Sequence, residues 1–317
     1  MAPRAGVLGA EPAGHRTEPH GRPPVQSDSV SSERPVRPSR PEPREVVELK
    51  ELKITHPELA SAVDLQLALI ETQRRVQSRV PLPWIQIDPG WLAVQYAAGR
   101  PVVRFQDIPL EWTDFRLTLR QTADVLRRFD TIEQHEYDRI VALGRDGNLL
   151  EPVVRRWYET TSGVNDRADT RAPENADGGL GQVLVLAIRP FLARCSEVLM
   201  QRTELPSWTH GYCPYCGWEP DFAVIAPTGD RKLICGRCIA QWPFDAYTCP
   251  FCGNADAARV TSFTSRDGRY RVYGCDVCHR YLKAYDSRNA ARPVMVAIDA
   301  IATLLLDAAA MQRGYVG

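Results

Sequence analysis

Apolar residues recur at helical spacing through most of the first two thirds of the chain, from about residue 45 to 205. Val63, Leu67 and Ile70 share one face of a helix, and Gln73, Arg74, Arg75 and Gln77 mark its polar end. Thr55-His-Pro-Glu58, just upstream, has the spacing of a capping box, with proline in the first turn where a missing N–H costs nothing. Pro81-Leu-Pro83 breaks the helix, and a short one follows over Pro89 to Tyr96. Further helices are predicted over 111–129, 131–144 and 147–160, carrying Trp112, Phe115, Leu119, Leu126, Ile140, Leu149 and Trp157. The stretch from Arg167 to Gly181 reads as a hinge. Its glycines, Gly178-Gly-Leu-Gly181, lack the strand and the spacing of a dinucleotide-binding turn. From 181 to 204 the apolar positions are Val183, Leu184, Ile188, Leu192, Cys195 and Leu199, with Pro190 inside predicting a kink. Cys195 has no neighbour at ligand spacing and reads as a buried core thiol.

The period then changes from helical to alternating. Phe222, Val224 and Ile225 precede Thr228-Gly-Asp230, and Leu233 and Ile234 follow. Val260, Ser262 and Phe263 precede Arg266-Asp-Gly268, and Tyr270, Val272 and Tyr273 follow. Each set predicts strand, turn and strand, with Asp-Gly a strong hairpin signal. A last helix opens at Pro293 and runs from Val294 to about Arg313. Its inner face is expected to be Ile298, Ile301, Leu305 and Ala308, and it should pack back on the N-terminal helices. Residues 1–44 hold nine prolines, seven arginines and four glycines, a composition that builds neither ladder nor core. The expected organisation is therefore α+β: a Pro/Arg-rich tail over 1–44, a helical domain over 45–205, small modules over 206–245 and 246–288, and a C-terminal helix over 289–317.

Cysteine spacing says what the small modules are. Cys213-Pro-Tyr-Cys216, Cys235-Gly-Arg-Cys238, Cys249-Pro-Phe-Cys252 and Cys275-Asp-Val-Cys278 account for eight of the nine cysteines. Two residues between thiols let one tight turn present both sulfurs to a single ion, and two such turns complete a tetrahedral shell. The gaps of eighteen and twenty-two residues can each hold a hairpin, whereas the gap of ten reads as a connection between modules. Tandem pairing follows: Cys213, Cys216, Cys235 and Cys238 form one site, and Cys249, Cys252, Cys275 and Cys278 the other. Spacing alone leaves interleaved pairing open. Each module then reads as a zinc-ribbon or rubredoxin-like unit too small to fold without its metal. Zinc and iron both suit four thiolates. A filled shell leaves no position for substrate, which argues against catalysis at the metals. His210 and His279 flank the knuckles but are not needed as ligands.

Charge narrows the partners. Lysine plus arginine, 39, equals aspartate plus glutamate, 39, so no global field draws the chain to nucleic acid or anionic membrane. Residues 206–288 carry ten basic against eight acidic side chains, and two four-thiolate metal centres would bring that region to about −2. Arg259, Arg266, Arg269, Arg271, Arg280 and Lys283 form a local basic set on the second module, yet backbone-tracking binders show clear basic excess. No apolar run approaches a membrane span, and the N-terminus lacks the apolar core of a signal peptide. Paired thiols in such a chain fit a reducing cytoplasm. The classes left standing are a protein-binding module, a ribbon that reads nucleic acid, and a rubredoxin-like electron carrier.

Beyond the cysteine pattern, the residues resemble the formate dehydrogenase accessory proteins, FdhE. The likeness runs through Cys213-Pro-Tyr-Cys-Gly217, the Cys235 and Cys238 pair with Trp242 four residues on, the Cys249 and Cys252 pair, and Cys275-Asp-Val-Cys-x-x-Tyr-Leu-Lys283. It continues through Asp299-Ala-Ile-Ala-Thr-Leu-Leu-Leu-Asp307 to Gly314-Tyr315, and the helical half agrees more loosely around Leu52 to Gln73, so the resemblance spans 45–317 and leaves out the Pro-rich tail. Trp242 is its least generic element, and it reads as a cover for the joint between modules. The resemblance implies a cytoplasmic, non-enzymatic assembly factor with the eight cysteines as metal ligands. Its expected partner is the catalytic subunit of a respiratory, molybdenum- or tungsten-dependent formate dehydrogenase, and a homodimer stays open.

Overall fold

The computed structural model describes residues 41–162, 178–202 and 208–317. Nearly all of the expected tail, and the hinge from Arg167 to 177, lie outside the described residues. Helix α1 (Arg44–Thr55) ends where the capping box was expected. Thr55 turns its hydroxyl back to the Glu51 and Leu52 carbonyls, so it closes α1 instead of opening α2 (Ala60–Gln77). The Asp88 carboxylate caps α3 (Pro89–Ala97) by accepting from the Trp91 N–H. Helices α4 (Trp112–Arg128), α5 (Gln134–Arg145) and α6 (Gly147–Thr161) follow the sequence periodicity, except that Leu149 is exposed and Leu150 is the buried residue of that turn. Gly179 begins α7 (Gly179–Arg202), its N–H donating to the Glu136 carboxylate at 2.8 Å. The glycine cluster is thus the buried first turn of a helix and not a hinge. Helix α7 keeps Pro190 inside it and packs against α2 and α4 around Phe115, Leu119, Ile188, Phe191 and Cys195, all buried.

Both expected hairpins form: β1 (Pro220–Ile225) with β2 (Arg231–Cys235), and β4 (Val260–Thr264) with β5 (Tyr270–Cys275). Gly229 and Gly268 take positive φ in their turns, a conformation open to glycine. Each hairpin gains a third strand after its last cysteine, β3 (Gln241–Phe244) and β6 (Tyr281–Asp286). The modules are not separate ribbons. Parallel pairing of β1 with β6, at Ala223↔Ala284, Val224↔Tyr285 and Ile225↔Asp286, fuses them into one sheet of order β3-β2-β1-β6-β5-β4. Side chains alternate accordingly. Ala223, Leu233, Trp242 and Leu282 join the helical core, while Phe222, Val224, Ile234, Tyr270 and Tyr285 form the other face. Glu42 to Gly317 makes one compact body.

The C-terminal segment covers that second face, as two short helices where one was expected: α8 (Val296–Ala302) and α9 (Leu304–Met311). Thr303 is buried between them, and its hydroxyl takes the Asp299 and Ala300 carbonyls, interrupting the helix. The break shifts the helical phase, so Leu305 is 59% exposed while Leu306 and Ala310 face the sheet. Ile298 of α8 packs with Leu49, Leu59, Val63 and Ile70 of the N-terminal helices, as the sequence suggested. Polar contacts fix the arrangement. Asp299, fully buried, accepts from the Tyr270 hydroxyl at 2.8 Å and from Arg292 at 2.7 Å, and Arg292 reaches Glu48 of α1. Asp307 of α9 accepts from the Tyr281 hydroxyl at 2.7 Å and from Lys283 at 2.6 Å.

The last pair gives a structural role to Tyr281 and Lys283, two positions of the FdhE resemblance. Both anchor α9 to β6. Lys283→Met leaves a largely buried carboxylate with one neutral donor. The expected cost is about 2–4 kcal/mol in a urea unfolding titration, and Asp307→Asn in the same chain should recover part of it. An unchanged midpoint in the single variant would show the pair to be incidental.

Candidate metal centres

Four knuckles are built by one local rule. In each, the first cysteine's carbonyl accepts from the N–H four residues on: Gly217 to Cys213, Ile239 to Cys235, Gly253 to Cys249 and His279 to Cys275. Those four acceptor-bound residues all have positive φ. Gly217 and Gly253 accommodate this freely, whereas Ile239 and His279 are held there by the surrounding structure. His279 is therefore a turn residue with an exposed ring, and His210 stacks on Tyr212. Neither belongs to a cysteine group among the described residues.

The turns bring together Cys213, Cys216, Cys235 and Cys238, and separately Cys249, Cys252, Cys275 and Cys278, the tandem sets expected from the gaps. Within each set the sulfurs lie within 4.8 Å of one another. The sulfurs of Cys216 and Cys235 are 3.4 Å apart and those of Cys213 and Cys238 3.6 Å. In the second set, Cys252 to Cys275 is 3.6 Å and Cys249 to Cys278 is 3.8 Å. A disulfide needs about 2.05 Å. Four sulfurs around one ion with bonds of about 2.3 Å sit about 3.8 Å apart, and both groups fit that geometry. Either group could hold a metal ion.

The two groups differ in their surroundings. All four thiols of the first are buried, but Cys252 of the second is exposed and Cys278 half-buried. The first group is walled by the helical domain. The Val102 and Val103 N–H groups donate to the carbonyls of Pro214 and Tyr215, Ser196 of α7 donates to the Cys238 carbonyl at 2.9 Å, and Arg189 donates to the Gly236 carbonyl at 2.6 Å. The groups meet where Gly211 passes Pro250 so closely that a Cβ would lie 1.9 Å from its carbonyl oxygen.

Arg237, inside the Cys235-Gly-Arg-Cys238 knuckle, is the functional residue that spacing did not single out. It is fully buried. Its guanidinium donates to the hydroxyls of Thr161 and Ser162 at 3.0 Å each and to the Cys216 carbonyl, and it lies over the rings of Tyr158 and Trp218. Burial opposes its charge, but the Cys216 sulfur, followed by Tyr158 and Cys235, holds its pKa above the ordinary value. Burial likewise opposes ionisation of Cys216. Hydrogen bonds from Cys213, Cys235 and Cys238, and then the Arg237 charge, bring that thiol well below its usual range. A divalent ion in four thiolates carries a net −2, and Arg237 is a fixed cation beside it in a dry site. The only sequence signal was a charged residue between two ligand cysteines. Cys195 is buried in the helical core as expected, its pKa pushed up by burial.

Fold and site together define a class: a helical domain fused to a six-stranded sheet that presents two four-cysteine groups, closed by C-terminal helices. No family model matches the chain. It is similar to curated proteins named "Protein FdhE homolog". One, from Shewanella sp. (strain MR-4), is 34% identical over 107 residues, 32% of this chain and 35% of that protein. Another, from Aquifex aeolicus (strain VF5), is 29% identical over 146 residues, 44% of this chain and 50% of that protein. The matches thus span half or less of those relatives' length. The FdhE protein from Pseudomonas aeruginosa has the same fold, with a TM-score of 0.56 at 18% identity over 86% of this chain and 92% of that one. The resemblance to FdhE proteins read from the cysteine region therefore holds in both sequence and fold.

Proposed function

We propose that this protein is an accessory factor of formate dehydrogenase. On this reading it binds the catalytic subunit of a respiratory, molybdenum- or tungsten-dependent enzyme during maturation in the cytoplasm, and is not itself an enzyme. The observation that carries the reading is the fusion of two closed four-cysteine groups to a large helical domain in an FdhE-like architecture. The eight cysteines hold two metal ions, zinc or iron, whose chemistry is to fix the knuckles. With four thiolates each, neither ion keeps a position for substrate. No described helix is long and apolar enough to cross a membrane.

Tagged protein purified without air from its own cells should bring down the formate dehydrogenase catalytic subunit. Membranes from a deletion strain should lose formate oxidation and regain it on complementation. Normal formate oxidation in the deletion strain would end this reading.

A further inference from the structure

Beside the second cysteine group, the sheet carries a concave pocket of about 390 Å³ lined by three arginines, Arg231, Arg271 and Arg288, with no carboxylate among its lining residues. Tyr273 and Ser262 also line it, and Tyr247 stands beside them 71% exposed. In a chain whose formal charges cancel, this concentration of guanidinium is local and specific. We infer that it is a binding site for the phosphate group of a small phosphorylated molecule.

Arg231 is the built part of the site. It is only 6% exposed, and one guanidinium nitrogen donates to the carbonyls of Asp245 and Thr248, so its plane is fixed. Its Nε is buried and finds no partner in the protein. Asp286 accepts from Arg271 Nε at 3.0 Å and holds Arg288 at two points, accepting from its Nε at 2.8 Å and from its Nη2 at 2.5 Å. One carboxylate thus positions two guanidinium groups and neutralises one of the three charges. Asp245, at the margin, spends its carboxylate on the N–H groups of Tyr247 and Thr248 and the Thr248 hydroxyl.

With Asp286 and Asp245 set against the three arginines, about one positive charge remains, and the guanidinium N–H groups not spent inside the protein match a phosphate ester, with its three acceptor oxygens, better than a single carboxylate with two. The volume is that of a small-molecule pocket, and the exposed Tyr247 ring is placed to cover a flat ligand.

Calorimetric titration of the metal-loaded full chain with inorganic pyrophosphate and with AMP tests the site, with succinate as a carboxylate control. Pyrophosphate and AMP should bind with Kd below about 1 mM in roughly physiological salt. Arg288→Gln should weaken both by about tenfold or more, and Tyr273→Phe by severalfold. Arg266→Gln, an exposed cation in the neighbouring hairpin turn, should leave affinity unchanged. Arg231 is left intact because it also ties down the loop after β3. Absence of binding at about 10 mM, equal weakening by Arg266→Gln, or succinate binding as tightly as pyrophosphate would each overturn the assignment.

Discussion

Cys216→Ser should abolish the cooperative fold of the metal domain, whereas Cys252→Ser should leave a folded protein that has lost one of two metal ions. The difference follows from where the two groups sit. Cys213, Cys216, Cys235 and Cys238 are buried in the same core as Trp157, Leu233 and Trp242, and helices α6 and α7 bond directly to their knuckles. Losing that ion removes most of a contribution worth about 10–16 kcal/mol in small zinc peptides, and with it the surface against which the helical domain packs. The second group is held at the rim, with Cys252 in solvent, so its loss frays one knuckle and the adjoining edge of the sheet. Metal analysis together with near-ultraviolet circular dichroism separates the outcomes. A chelator added to the wild-type protein should likewise remove one equivalent fast and the other only on unfolding. Release of both ions in a single phase would mean that burial does not govern them.

Arg237→Met should cost about 3–5 kcal/mol in the metal-loaded protein and weaken the first ion's binding by about two orders of magnitude. Methionine fills the space between Tyr158 and Trp218, so the loss is electrostatic and not a cavity. It strands the Cys216 carbonyl, takes the donor from the Thr161 and Ser162 hydroxyls, which keep their own bonds to the Trp157 and Tyr158 carbonyls, and leaves a dianionic site without its cation. Urea titration gives the stability, and competition with a chromophoric chelator gives the affinity. An unaltered affinity alongside lower stability would reduce Arg237 to a packing residue.

Much of this was legible because it is local. A CxxC turn needs only its own residues to aim two sulfurs, so the four knuckles followed from spacing; the gap lengths favoured the tandem grouping, which the structure shows. Thr228-Gly-Asp230 and Arg266-Asp-Gly268 announced both hairpins for the same reason. What escaped depends on distant partners. Gln241–Phe244 contains Pro243 and carries little strand character of its own; it is ordered by pairing with Leu233 and Ile234. The parallel β1–β6 pairing joins residues some sixty positions apart and leaves no periodic trace. Arg237 was invisible because nothing in a knuckle's sequence says that a helical domain will close over it. Leu305 fell on the wrong side because the Thr303 hydroxyl competes for helix carbonyls, an event that changes phase without changing composition.

The packing of α8 on α1 and α2 imposes an order on biosynthesis. Leu49, Leu59, Val63 and Ile70 are covered by Ile298, roughly 250 residues later in the chain, a closure of high contact order. Until that helix leaves the ribosome, the first helices carry an uncovered apolar stripe, and the sheet's second face stays bare. Both metal groups can fill earlier, since their knuckles are complete at Cys278. Metal capture should therefore precede closure, and a chain starved of metal would present its sticky intermediate to the cell's holdase machinery for longer.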